Sequence, residues 1–84
     1  MIPKKGDKFN ARLEYYEDEN HVFRKFQPDQ KGYLKAVRGC PCKCTKVSRA
    51  WVLATDKDHQ PRIFYINSPI LSRIVTFEVI GKDA

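Results

Sequence analysis

With 84 residues and 42% apolar content, the chain has room for one domain with a small core, which excludes a deep catalytic cleft built from several independent loops but not a binding surface. Its net charge of +6 points toward an anionic partner. No run approaches the roughly 20 apolar residues that cross a bilayer, and MIPKKGDKF lacks the apolar stretch of a secretory leader, so a single cytoplasmic domain over residues 1–84 without membrane contact is expected.

Residues 1–7 are a lead-in segment that ends in a Gly-Asp turn. From Lys8 onward the chain alternates, with Phe9, Ala11, Leu13 and Tyr15 on one side and Lys8, Asn10, Arg12 and Glu14 on the other. Period two with one apolar face predicts a half-buried antiparallel strand. Residues 17–20 (EDEN) form a polar bend, and residues 21–26, with Val22, Phe23 and Phe26, read as the return arm of a long hairpin-like excursion. Pro28 and Gly32 mark a second loop.

Residues 33–38 read as a short strand ended by Gly39 and Pro41. Because Pro41 has no amide hydrogen to donate, residues 40–44 are expected at an edge, a bulge or a loop. Residues 45–55 form the longest strand candidate. Val47, Trp51 and Leu53 share one parity and Ala50, Val52 and Ala54 the other, which suits a central strand covered on both faces, with Trp51 in the core. The polar stretch 56–61 (DKDHQP) predicts a hairpin into a strand at residues 62–66. Ser68-Pro69 starts one 3₁₀ turn, residues 74–80 make the last strand, and residues 81–84 are a frayed tail.

This order resembles the small barrels of SH3-like type, in which a long first loop precedes three meandering strands and a 3₁₀ turn leads into the last one. The fold class expected is therefore mainly β: a five- to six-stranded antiparallel SH3-like barrel, with an OB-like barrel as the alternative. The resemblance is architectural, and such folds host many functions.

Charge is distributed unevenly along the chain. Residues 30–55 hold Lys31, Lys35, Arg38, Lys43, Lys46 and Arg49 without one carboxylate, while the other 58 residues carry ten basic and ten acidic side chains. A basic stretch of this kind attracts phosphate. The expected nucleic-acid contacts are Lys35, Arg38, Lys43, Lys46 and Arg49, with Tyr33 and Tyr65 as rings on which bases stack. The function that follows is a small non-catalytic domain binding DNA or RNA, dominated by phosphate contacts and with little sequence preference.

The second reading is a protein-interaction module or inhibitor docking onto a larger protein assembly. Its surface would be the basic face, or an acidic tip built from Glu14, Tyr15, Tyr16, Glu17, Asp18 and Glu19.

Cys40, Cys42 and Cys44 stand one residue apart, a spacing that suits no staple framework and implies reduced thiols. With His21 or His59 they would complete a zinc set, but along a strand Cys40 and Cys44 lie about 13 Å apart. They are read as small core or edge fillers with no cofactor, zinc being the alternative. Nearby cations favour a thiolate, yet neither histidine shows the local pattern of a positioned base, so no catalytic residue is assigned and the protein is expected not to be an enzyme.

Overall fold

The structure is a computed structural model that describes residues 2–33, 35–66 and 74–82. Seven strands occur in chain order: β1 (Asp7–Leu13), β2 (Tyr15–Glu17), β3 (Phe23–Lys25), β4 (Cys42–Val47), β5 (Trp51–Thr55), β6 (Pro61–Tyr65) and β7 (Ile74–Lys82). Five of them form one antiparallel sheet in the order β6-β5-β4-β1-β7, and β2 pairs with β3 as a separate hairpin. Among the described residues no ladder joins β6 to β7. What is shown is thus an all-strand fold with an open five-stranded sheet, and none of its described elements is a helix able to cross a membrane.

The alternation read from the sequence is what seats β1. Asp7, Phe9 and Ala11 point inward and are buried, while Lys8 faces solvent. Phe9 is fully buried and meets Phe77 and Phe64 edge to face at 5.6 and 5.8 Å, and those two rings close the triangle at 6.1 Å. Such edge contacts place each ring's positive rim against its neighbour's negative face. Ala11, Cys42, Cys44, Val52 and Ala54 fill the space around the rings. Cys42 and Cys44 are core residues within β4, two positions apart on the same face.

Several sequence expectations are corrected. Residues 33–38 do not make a strand: the described part holds a turn and one isolated bridge, Ala36 to Arg12. Among the described residues that stretch pairs with β1 only at this bridge. The strand expected at 45–55 is instead a hairpin, β4 and β5 joined through residues 48–50, where the Ser48 hydroxyl accepts the Ala50 N–H at 3.2 Å and the Ser48 N–H donates to the Trp51 carbonyl. β5 remains central, between β4 and β6. Trp51 is half-buried on the face opposite Val52 and Ala54, so it is not a core ring. Gly81 and Lys82 belong to β7, paired with Lys8 and Asp7, and are not a frayed tail. The 3₁₀ turn expected at Ser68 lies outside the described residues.

One buried carboxylate organises the far end of the sheet. Asp56 Oδ1 accepts the backbone N–H groups of Asp58 (2.8 Å) and Gln60 (2.9 Å), and Oδ2 accepts Arg62 Nε at 3.0 Å. These bonds build the β5–β6 turn as a side-chain-capped loop. The Gln60 N–H above all, with Arg62 and Asp58 behind it, holds the Asp56 carboxyl below its usual range against the opposing effect of burial. Gly39 passes close by at φ +96°, and a Cβ there would stand 3.1 Å from Asp56 Oδ2, so the position needs glycine for both conformation and space.

Candidate nucleic-acid interface

Ladder register decides which side chains share the outer face. Lys8 of β1 stands directly opposite Lys43 of β4, and Lys43 is in turn opposite Thr55 of β5. A bulge between Cys44 and Lys46 keeps Lys46 on this same face, opposite Leu53. Beyond it, Leu53 pairs with Ile63, and Trp51 with Tyr65. The outer face therefore runs from an aromatic corner (Trp51, Tyr65) across an apolar strip (Leu53, Ile63) to a row of lysines (Lys46, Lys43, Lys8). From Trp51 to the Lys43 rung is four residues of strand, about 13 Å.

Two open grooves flank the lysine row. One, of about 530 Å³, is lined by Lys8, Lys43, Lys57 and His59 together with Pro41, Cys42, Thr45, Thr55 and Asp56. The other, of about 510 Å³, lies between Ile2, Pro3, Lys4, Lys5, Lys46 and Val47. Lys46 Nζ sits 5.9 Å from the Trp51 ring centroid, a cation–π contact that holds ring and charge side by side. Lysines opposed across a ladder repel. An anion lodged between Lys8 and Lys43 would relieve that repulsion.

Of the residues singled out from the sequence, Lys43 and Lys46 come together with Tyr65 on this face. Arg49 stands exposed in the β4–β5 turn at its aromatic end. Arg38 precedes Gly39, whose carbonyl accepts the Lys57 N–H, which puts it beside the β5–β6 turn. Lys35 and Tyr33 are exposed in the loop between β3 and β4, near the Arg12 end of β1 and away from the lysine row. Lys4, Lys5, Lys8, Lys57 and His59, none of them singled out from the sequence, lie along this face, and Trp51, read as core, stands on it too. Only Lys8 had a legible signal, its alternation with Phe9, because the others reach the face through turns or through register.

The acidic tip is engaged within its own hairpin. Glu14 pairs with Lys25 at 2.9 Å, Glu17 Oε1 lies 3.0 Å from His21 Nδ1, and Asp18 binds Arg24. The Arg24 bond first, then the N–H groups of Val22 and Asn20, lowers the Asp18 carboxyl pKa. Tyr16 packs against Phe26 with ring centroids 4.8 Å apart and planes tilted by 43°, and its hydroxyl oxygen accepts a hydrogen bond from Gln30 Nε2. Tyr15 is half-buried opposite Lys25, and Glu19 is exposed at the bend.

The cysteines divide into a pair and a singleton. Cys40 Sγ and Cys42 Sγ are 3.9 Å apart, whereas Cys44 Sγ faces the Lys46 carbonyl oxygen. Hydrogen bonding with Cys42 chiefly, helped by the Ala11 N–H and the Arg62 charge, brings the Cys40 thiol down to about 6. Cys42 is pushed up by sharing its proton with Cys40 and by burial, and burial raises Cys44 too. Among the described residues no three His, Cys, Asp or Glu side chains converge as a metal set.

No protein-family model, curated protein or solved structure matches the chain.

Proposed function

We propose that this protein is a small, non-catalytic nucleic-acid-binding domain that holds single-stranded DNA or RNA across the outer face of its sheet. The carrying observation is the Lys8–Lys43 rung, which lines one groove with Lys57 and His59 and continues through Lys46 to the half-exposed Trp51. Phosphates follow the lysine row, and bases stack on Trp51 and Tyr65. Every base has a π face, so such a surface tolerates many sequences. No helix in the described residues is available to read a groove of duplex DNA.

We read the fold in more detail as an SH3-like barrel. Supporting this, β4, β5 and β6 meander, β1 lies between β4 and β7, and the β2–β3 hairpin is inserted after β1. Register shifts in the β1–β7 and β4–β5 ladders supply the bends that let strands curl toward closure. The rival reading, docking through the acidic tip onto a protein assembly, is weakened by internal contacts that already use its carboxylates: Glu14 and Asp18 are in ion pairs, and Glu17 is in a hydrogen bond with His21.

A gel shift at about 50 mM salt with mixed single-stranded DNA and RNA tests the proposal. Retardation at micromolar protein is expected, since non-specific phosphate binding falls in that range. Its absence would overturn the reading and favour a protein partner.

A further inference from the structure

The thiol pair adjoins the groove at Lys43, whose lining includes Cys42, and the two cysteines differ in a way that assigns them separate roles. Cys40 lies before β4, half-buried, with its sulfur accepting the Ala11 N–H at 3.4 Å. Cys42 is the first residue of β4 and 1% exposed, with its sulfur 3.9 Å from that of Cys40. We propose that Cys40 and Cys42 form a thiol–disulfide exchange site whose substrate is a low-molecular-weight disulfide, Cys40 being the attacking sulfur and Cys42 the resolving one.

The exchange balances in two steps. The Cys40 thiolate attacks one sulfur of RS–SR, forming Cys40–S–S–R and expelling RS⁻, which takes a proton from water. Cys42 then loses its proton to solvent and its sulfur attacks Cys40 Sγ, forming the Cys40–Cys42 bond and expelling the second RS⁻. Two protein thiols have given up two electrons and two protons, and RS–SR has become two RSH. Geometry supports this order, because the half-buried Cys40 keeps some exposure while the buried Cys42 holds its sulfur 3.9 Å from Cys40 Sγ.

Electrostatics act in the same sense. A Cys40 thiol near pKa 6 is mostly thiolate at neutral pH, stabilised by the Cys42 S–H, the Ala11 N–H and the nearby Arg62. Its larger thiolate fraction is partly offset by lower intrinsic nucleophilicity, so reaction at pH 7 should run roughly two- to fourfold faster than for an ordinary thiol. The more telling signature is the pH profile. Between pH 7 and 9 the rate should stay nearly flat, where an ordinary thiol keeps accelerating.

The test uses the reduced 84-residue chain, oxidised glutathione, an N-ethylmaleimide quench in denaturant at mildly acidic pH and tryptic mapping. Cleavage after Arg38 and Lys43 isolates Cys40 and Cys42 in peptide 39–43 and leaves Cys44 in the next peptide, 44–46. The expected product is peptide 39–43 lighter by two hydrogen atoms, with Cys44 maleimide-labelled. In Cys42→Ser, glutathione should instead remain on Cys40. Failure to react, glutathione persisting on wild-type Cys40, disulfides through Cys44 or cross-linked dimers would each overturn the proposal, and the wild-type map needs no substituted protein to fold.

Discussion

Replacing Lys8 and Lys43 together by glutamine separates a lysine row that binds phosphate from one that merely adds charge. If Lys8, Lys43, Lys46 and Lys57 each hold one phosphate of a single strand, the logarithm of affinity should fall with the logarithm of salt at a slope of about −2.8, taking about 0.7 per contact. Raising salt fourfold, from about 50 to about 200 mM, would then weaken the wild type roughly 50-fold. The double variant keeps two contacts and a slope of about −1.4, hence a loss of about sevenfold over the same range. Fluorescence anisotropy of a labelled oligonucleotide measures both lines. The matched control is Lys31→Gln with Lys35→Gln, which removes the same two charges from the β3–β4 loop, near the other end of β1. Its slope should stay near the wild-type value. Equal slopes for wild type and the Lys8/Lys43 variant, or an equal drop in the control, would refute the assignment of phosphate to that rung. A companion readout is stability. Lys8→Gln alone should raise the melting temperature slightly, since relieving like charges across a ladder is worth about 0.2–1 kcal/mol, while it weakens binding.

Three further outcomes follow from the same geometry. Trp51→Ala should weaken oligonucleotide binding by about 1–3 kcal/mol, the worth of one stacked base, and in the wild type the single tryptophan's fluorescence should quench on titration with oligonucleotide. Phe9→Ala should cost about 3–5 kcal/mol, read as a lower urea midpoint. Against a total of roughly 4–13 kcal/mol for a chain of this length, that is a large share of the stability. Asp56 has a depressed carboxyl pKa in the folded protein, so its contribution is complete above the unfolded carboxylate's pKa of about 3.9 and is lost as pH falls through the lower folded value. Asp56→Asn should therefore lower the melting temperature at pH 7 and flatten its decline as the pH falls below about 4; an unchanged acid limb would show that the Gln60 and Arg62 bonds do not favour the charged form.

The amino-acid sequence by itself determined the elements whose instructions are local. Phe9 and Ala11 alternating with Lys8 and Asn10 require a one-faced strand, and β1 is that strand. The polar DKDHQP stretch between apolar runs requires a turn, and Asp56 caps it with its own carboxylate. The segregation of positive charge into residues 30–55 is likewise a fact of the chain. Tertiary structure alone decided where those charges went. A strand's period says which side chains share a face but not which distant strand will lie beside it, and the β1–β4 register brought Lys8, 35 positions away in sequence, against Lys43. It also left residues 33–38 without a full ladder, taking Lys35 off the sheet, and a turn at 48–50 with no glycine or proline to announce it moved Trp51 from the core to the outer face. Local pattern specifies conformation, whereas backbone hydrogen bonds between segments far apart in the chain specify neighbours, and a binding surface is made of neighbours.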